Sequence, residues 1–225
     1  MIDVDSRYQK IGISISGGAD SALLAWMICK QSAAQIHFVY QIRMWKTRPW
    51  QEFYADRVME WFKKNFSNDF VVHKNFVPPE MEEPSTDYIT DEYGDSKPGN
   101  RIILRAHNEY IAHKQKLDAW YAGVTLNPPV TLEGELEDRN IPGYNKHKVI
   151  HDVNVHHPFV DCAKDWVMKQ YLDNNLHELL RLTRSCEGEF EGIDYTNYRY
   201  GEDVNECGEC FWCRERKWGL DNAYT

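Results

Sequence analysis

The stretch from Lys10 to Ser21, KIGISISGGADS, constrains this chain more than any other. Ile11, Ile13 and Ile15 are β-branched residues on alternate positions, and they run into the pair Gly17-Gly18. Alternation ended by a glycine pair predicts a short buried strand feeding a tight turn. Beyond the turn, Leu23, Leu24, Met27 and Ile28 recur at helical spacing, so the loop opens a helix. Such a turn gathers free backbone N–H groups and the positive end of a helix dipole at one point, an arrangement that binds phosphate. Ser16 and Ser21 add hydroxyls on either side, and Gly17 and Gly18 let an anion approach with no Cβ in the way. Asp20 is the odd member. Its carboxylate repels a polyphosphate unless it holds Mg²⁺ or caps the helix.

The string lacks the lysine of a Walker loop. Taken whole, Ile15-Ser16-Gly17-Gly18-Ala19-Asp20-Ser21 resembles the pyrophosphate loop of the ATP pyrophosphatase superfamily. Members of that superfamily split ATP into AMP and pyrophosphate, usually by adenylating an acceptor. The plainer reading, in which the glycines serve turn geometry alone, stands beside it.

A chain of 225 residues suits one large domain, or a domain with an appendage, and can bury a substantial core. Lys plus Arg number 26 against 35 Asp plus Glu, a net charge of −9 that argues against broad, charge-driven binding of nucleic acid. A local basic patch is compatible with it. Met1-Ile2-Asp3-Val4-Asp5 has no apolar signal core, and no run reaches membrane-spanning length, so a soluble, cytoplasmic protein without a membrane partner is expected.

After the first helix, Gln35–Gln41 predicts a second strand, with Phe38-Val39-Tyr40 apolar on both faces as in a parallel sheet covered by helices. His37 reads as a satisfied strand histidine. Pro49–Phe66 predicts a helix with Phe53, Val58, Trp61 and Phe62 on its core side, and Asp69–His73 a third strand. Val77–Asn100, broken by prolines and acidic residues, reads as a mobile surface loop, either a lid or a tolerated insertion. Arg101–Lys116 predicts a helix that buries Ile102, Ile103, Ala106, Tyr110, Ile111 and Ala112, and Asp118–Val124 a fourth strand. This alternation gives an α/β fold: a doubly wound, mostly parallel sheet with its ligand at the carboxyl ends of the strands. Gly123-Val124-Thr125 should line the same crevice as the loop. Leu126–Val149 is again irregular. Val149–Phe159 carries His151, His156 and His157, which read as strand and loop histidines because no Cys or carboxylate stands at ligand spacing. Ala163–Leu172 and Asn175–Leu182 predict two short helices.

Four of the six cysteines fall in the tail, at Cys186, Cys207, Cys210 and Cys213. Three at intervals of three with a fourth upstream fit tetrahedral Zn²⁺, because four thiolates close a structural site. An iron–sulfur cluster is the competing occupant, since thiolates hold both. Disulfides are disfavoured by the crowded spacing. Cys29 and Cys162 read as small core residues.

The loop, together with Ser185-Cys186 and Cys207-Gly208-x-Cys210-x-x-Cys213-Arg214, resembles the 7-cyano-7-deazaguanine synthases (QueC). Looser matches run between: Phe38-Val39-Tyr40-Gln41, Pro98-Gly99-Asn100-Arg101, His157-Pro158-Phe159 with the following Lys164, Leu182-Thr183-Arg184, and Trp218-Gly219-Leu220. The fold implied is an adenine nucleotide alpha hydrolase-like domain over 1–182 with a four-cysteine zinc segment over 183–225. The resemblance implies an ATP-dependent carbon–nitrogen ligase of queuosine-type biosynthesis. In it, 7-carboxy-7-deazaguanine is adenylated, ammonia displaces AMP to form the amide, and a second ATP drives dehydration to the nitrile. Asp20 and Ser21 would be catalytic; Ile15, Ser16, Gly17, Gly18, Ala19, Asp20, Ser21 and Lys164 would hold ATP and Mg²⁺; zinc would be structural. A homodimer is also suggested.

Two departures stand out. Thr125-Leu126-Asn127-Pro128-Pro129 replaces the family's tyr-pro-asp segment, where the deazaguanine would bind, and Glu187–Glu206 is an acidic, Tyr-rich insertion. Three alternatives follow: adenylation of another acceptor such as a protein or peptide end, a tRNA thiolase needing a catalytic Cys near the loop, and a non-enzymatic zinc ribbon with Arg214, Arg216 and Lys217 as its basic character.

Overall fold

The computed structural model describes residues 2–43, 51–77, 88–90, 96–98, 100–129, 132, 146–150, 152–186 and 206–225. Lys10–Ile15 forms β1, Ala19–Gln31 α1, Gln35–Arg43 β2, Gln51–Asn65 α2 and Phe70–Val77 β3. Tyr88–Thr90 (β4) pairs antiparallel with Ser96–Pro98 (β5), and Asn100–Gln115 is α3. Ala119–Tyr121 (β6), His147–Ile150 (β7) and Val153–His156 (β8) complete the strands; Lys164–Asp173 (α4), His177–Leu182 (α5) and Phe211–Asp221 (α6) complete the helices.

Six strands make one sheet in the order β3-β2-β1-β6-β8-β7. Its pairs are parallel except for the edge hairpin β7–β8. The alternation in β1 is the reason for its layering. Ile11, Ile13 and Ile15 share one face with Ile36, Phe38, Tyr40, Ala119 and Tyr121, in a core with α1, α2, α4 and α5. Val39, Trp120 and Val153 share the other with Ile111 and Ala112 of α3. The chain thus builds outwards from β1 through β2 to β3, then crosses with α3 on the opposite face to β6. The two halves part between β1 and β6, and an α/β sheet of this kind opens its ligand crevice there.

Most predicted elements stand, with informative corrections. Val58 and Phe62 are buried and the half-buried Trp61 packs against the core as expected, whereas Phe53 is only half-buried and Tyr54, Ala55 and Met59 complete the buried face of α2. Tyr110 and Ala106 are exposed, leaving Ile111 and Ala112 to anchor α3; the side chains of Ile102 and Ile103 lie outside the described residues. Val149 and Ile150 end β7, which pairs antiparallel with β8, and between the two strands Asp152 takes φ +68, a left-handed value that Asp tolerates in turns. The expected loop Val77–Asn100 contains the β4–β5 pair; most of it, most of the insertion Glu187–Glu206, and His151 lie outside the described residues. Among the described residues no helix is long and apolar enough to cross a membrane.

His37 is a satisfied core histidine. Its Nε2 lies 2.9 Å from Gln35 Oε1 and its Nδ1 lies 3.0 Å from His73 Nε2, with the two rings stacked. Burial first, then the neighbouring His73 and Lys10, pushes His37 down to about 4. Unfolded histidine titrates near ~6.5, so between about 4 and 6.5 the unfolded chain binds more protons than the folded one. This contribution to stability is complete above about 6.5 and is lost as the pH falls towards 4. Denaturant midpoints measured across that window should decline with acid, and His37→Gln should flatten the decline relative to the wild type.

Candidate functional site

Ser16-Gly17-Gly18 leaves the carboxyl end of β1 and turns directly into α1. Gly17 has φ +74, and a Cβ there would stand 2.9 Å from the Ala55 backbone nitrogen, so both the turn and the packing require glycine. Gly18 is the N-cap, extended at φ −83 and ψ 163, with no side chain to satisfy the helix. The serines instead brace the loop. Ser21 Oγ donates to the Gly18 carbonyl (3.1 Å) and accepts from the Ser16 N–H (3.3 Å), and Ser16 Oγ accepts from the Gly18 N–H (3.3 Å). The N–H groups of Ala19, Asp20 and Ser21 meet no acceptor among the described residues. Three converging donors at the positive end of a thirteen-residue helix form an anion cradle. Ile15 itself is 2% exposed and serves as the buried foot of this loop.

Gly123, just past β6, closes the opposite wall: a Cβ there would stand 3.1 Å from the Asp20 carbonyl. The segment that follows β6 therefore packs directly against the loop that follows β1. Two further residues fix the loop from behind. Tyr171 Oη donates to the Ala19 carbonyl (2.7 Å), and burial together with the Asp20 charge holds its hydroxyl well above the usual range, so it remains a donor. The Arg184 N–H donates to the Gly17 carbonyl (2.8 Å), while its guanidinium lies over the Tyr54 ring and donates to the Tyr54 hydroxyl (3.0 Å).

Asp20 neither caps α1 nor stands alone. Its two oxygens lie 2.7 and 2.5 Å from Lys164 Nζ, at the start of α4. Lys164 is 1% exposed, and its ammonium is also 3.3 Å from Glu215 Oε2 on α6, a carboxylate with no exposure at all. One buried cation thus joins the loop to the C-terminal helix. The helices are close enough for this because residue 219 is glycine; a Cβ there would stand 2.6 Å from Lys164 Cγ and 2.8 Å from the Lys164 carbonyl oxygen.

Two residues beyond Arg184 along an extended segment, roughly 7 Å of chain, lies Cys186. Its sulfur gathers with those of Cys207, Cys210 and Cys213, all within 4.8 Å of one another. Cys186–Cys207 is 3.5 Å and Cys207–Cys213 is 3.9 Å. A metal with ~2.3 Å bonds to four thiolates needs tetrahedral edges of about 3.8 Å, so the set fits one ion such as zinc. The N–H groups of Cys207 and Cys210 point at the sulfurs of Cys186 and Cys207, the outer hydrogen bonds that a thiolate site requires. Cys210 stands at the N-cap position of α6, where the helix dipole favours the thiolate form. Hydrogen bonds from Cys186 and Cys213 also hold Cys210 well below the usual thiol range. The remaining cysteines are of another kind: burial pushes Cys29 up to about 12 and leaves it an inert thiol in the core.

The structure brings together Ser16, Gly17, Gly18, Ala19, Asp20, Ser21 and Lys164, and separately the four cysteines. Glu215 and Tyr171 escaped the sequence reading, and Arg184 entered it only as part of a matched segment, with no role. Glu215 sits in the run Arg-Glu-Arg-Lys, which reads as a solvated helix face, and Tyr171 reads as ordinary core.

No protein-family model matches the chain, and no curated protein matches it. Among solved structures, it is similar to the U34-tRNA thiolase NcsA from Methanococcus maripaludis with its [4Fe-4S] cluster, at 16% identity and a TM-score of 0.48, covering 87% of this chain and 64% of that one. The chain therefore spans about two-thirds of the thiolase's length. It is also similar to the phosphoadenylyl-sulfate reductase from Candida auris in its phosphate complex, at 10% identity and a TM-score of 0.41, covering 81% and 82%. Both likenesses are distant.

Gly219→Ala tests the packing that joins tail and core. The added methyl meets backbone as well as side chain, so it should cost roughly 1–3 kcal/mol by the overpacking rule, read from denaturant unfolding. A variant as stable as the wild type would show that α6 is not held against Lys164.

Proposed function

We propose that this chain is an ATP-using enzyme of the ATP pyrophosphatase superfamily, adenylating a carboxylate and replacing AMP with ammonia as the 7-cyano-7-deazaguanine synthases do. The observation that carries the reading is the cradle of Ala19, Asp20 and Ser21 N–H donors, braced by Ser16 and Ser21 at the switch between β1 and β6. Preorganised donors of this kind stabilise charge as it develops on departing pyrophosphate and need no reorganisation at the moment of reaction. The substrate carboxylate attacks the α-phosphorus, the bond to the β-phosphate oxygen breaks, and an acyl-adenylate remains. Ammonia then attacks the acyl carbon and AMP leaves with the electron pair, giving an amide. A second ATP would activate the amide oxygen, whose loss with AMP gives the nitrile.

Asp20, with a side chain 22% exposed, is the carboxylate of the loop placed to take Mg²⁺ beside the phosphates. Bound Mg²⁺ would neutralise phosphate charge. Lys164 supplies positive charge behind Asp20 rather than reaching the cradle alone, since both Asp20 and Glu215 hold it. In the tail, Cys186, Cys207, Cys210 and Cys213 would fill all four positions around a tetrahedral ion, so the zinc we place there would be structural, with no open position for water. Sulfur spacings suited to a single ion favour zinc over an iron–sulfur cluster, whose cysteines bind separate irons.

One feature favours a second reading, adenylation of a different acceptor. Beside the crevice, Thr125 and Asn127 are buried, and the Leu126 N–H is bonded to the Cys162 carbonyl (2.9 Å), so a built wall stands where the family has tyr-pro-asp.

Incubation with ATP, Mg²⁺, ammonium and 7-carboxy-7-deazaguanine should yield amide or nitrile with AMP and pyrophosphate, read by mass spectrometry. ATP cleavage only with another carboxylate would support the second reading, and none with any acceptor would contradict both. Asp20→Asn should lower pyrophosphate release on the order of 100-fold or more. It should also reduce stability, because Lys164 keeps a single carboxylate. Metal analysis should find one zinc per chain in colourless protein, and Cys210→Ser should lower zinc content and melting temperature together. Brown protein, or metal-free protein of unchanged melting temperature, would overturn the zinc assignment.

A further inference from the structure

The cluster of Asp20, Lys164 and Glu215 contains two carboxylates and one ammonium. Lys164 and Glu215 are both withdrawn from water, at 1% and 0% exposure, whereas the Asp20 side chain keeps 22%. A buried ammonium without a partner is strongly disfavoured, and so is a buried carboxylate. Lys164 therefore needs a carboxylate beside it at all times. Asp20 is the only member of the three that water, or a cation arriving with a nucleotide, can reach.

That asymmetry gives Glu215 a role that its place at the far end of the chain would not suggest. Were Lys164 partnered by Asp20 alone, Asp20 could turn to a metal only by leaving the ammonium buried and uncompensated. With Glu215 3.3 Å away, Lys164 keeps a counter-charge while Asp20 lets go. Asp20, once it lets go of Lys164, faces the cradle as a carboxylate with 22% of its side chain exposed. A divalent cation is drawn to such a site, while an anion without its metal is repelled.

We infer that Glu215 is a positioning residue for the nucleotide loop: it holds the Lys164 ammonium from behind so that Asp20 is free to exchange its lysine for Mg²⁺. The inference rests on the reading of the loop as an ATP site. It also gives the tail a physical link to that site. Glu215 lies on the first turns of α6, two residues after Cys213, and α6 is fixed further by Arg216, whose Nη2 donates to the Leu180 carbonyl (2.9 Å) and Nη1 to Thr183 Oγ1 (3.1 Å). Seating of the cysteine cluster therefore seats Glu215. The link is specific in sign. Loss of the negative charge should weaken divalent-cation binding and leave metal-free ATP binding unchanged or tighter, whereas general damage to packing weakens both.

The test is Glu215→Gln, which keeps shape and removes charge. ATP binding is measured by calorimetry on full-length protein with its metal, in EDTA-free buffer with and without Mg²⁺, alongside Mg²⁺ titrations of pyrophosphate release. The half-saturating Mg²⁺ concentration should rise about tenfold, with ATP affinity in the absence of Mg²⁺ unchanged or higher and zinc content retained. Glu215→Asp, with its charge one methylene farther away, should shift the Mg²⁺ dependence in the same direction by less; it carries the test alone if the Gln variant does not fold. Unchanged Mg²⁺ dependence, or equal weakening of ATP binding with and without Mg²⁺, overturns the inference. Wild-type protein that binds no ATP under any condition overturns the loop reading as well, which separates the two failures.

Discussion

An ammonium at 1% exposure persists only where carboxylates meet it, and the fold is arranged so that Lys164 meets two. Removing a partner from a buried ion pair costs about 3–5 kcal/mol when the remaining charge is left uncompensated. The total stability of a domain is only about 5–15 kcal/mol. Three helices are therefore committed to one another through this point. α1 brings Asp20, α4 brings Lys164, and α6 brings Glu215 over the glycine at 219 that lets it approach. The Tyr171 bond to Ala19 adds a second tie between α4 and the first turn of α1. The glycine loop and the cysteine-bearing tail are, at the level of side chains, one continuous packed unit.

The loop can carry N–H donors that meet no acceptor among the described residues because everything around it is fixed. The strand before it is buried on both faces, its serines are bonded to its own backbone, and the Arg184 N–H holds the Gly17 carbonyl. The donors left over are the first-turn N–H groups of α1. Their position follows from topology: α1 leaves the carboxyl end of β1 on one face of the sheet, while α3 enters the neighbouring parallel strand β6 from the other face. The cysteine cluster stands a short extended segment away, on the same piece of chain that braces the loop.

Much of this was legible in the sequence because it depends on local pattern. Alternating isoleucines specify β1 and its buried face, the Ser-Gly-Gly string specifies the turn, and cysteines three apart specify a compact sulfur cluster. What was not legible depends on long-range pairing. Lys164 could be flagged as a phosphate contact, yet nothing near it in sequence reveals Asp20, 144 positions away, or Glu215 as its partners. Glu215 lies among basic residues that suggest solvent, and only the docking of α6 buries it. The hairpin at β7–β8 was missed for a different reason: the turn rests on Asp152 at positive φ, a conformation that an aspartate permits without announcing it.

The central claim, that the first turn of α1 is a pyrophosphate cradle, is most directly tested by an experimental structure of the protein with pyrophosphate and Mg²⁺. The expected result is an anion with oxygens about 3 Å from the backbone nitrogens of Ala19, Asp20 and Ser21, the metal on Asp20, and Lys164 still against Glu215. Pyrophosphate bound elsewhere, with those three nitrogens bearing only solvent at saturating ligand, would contradict it.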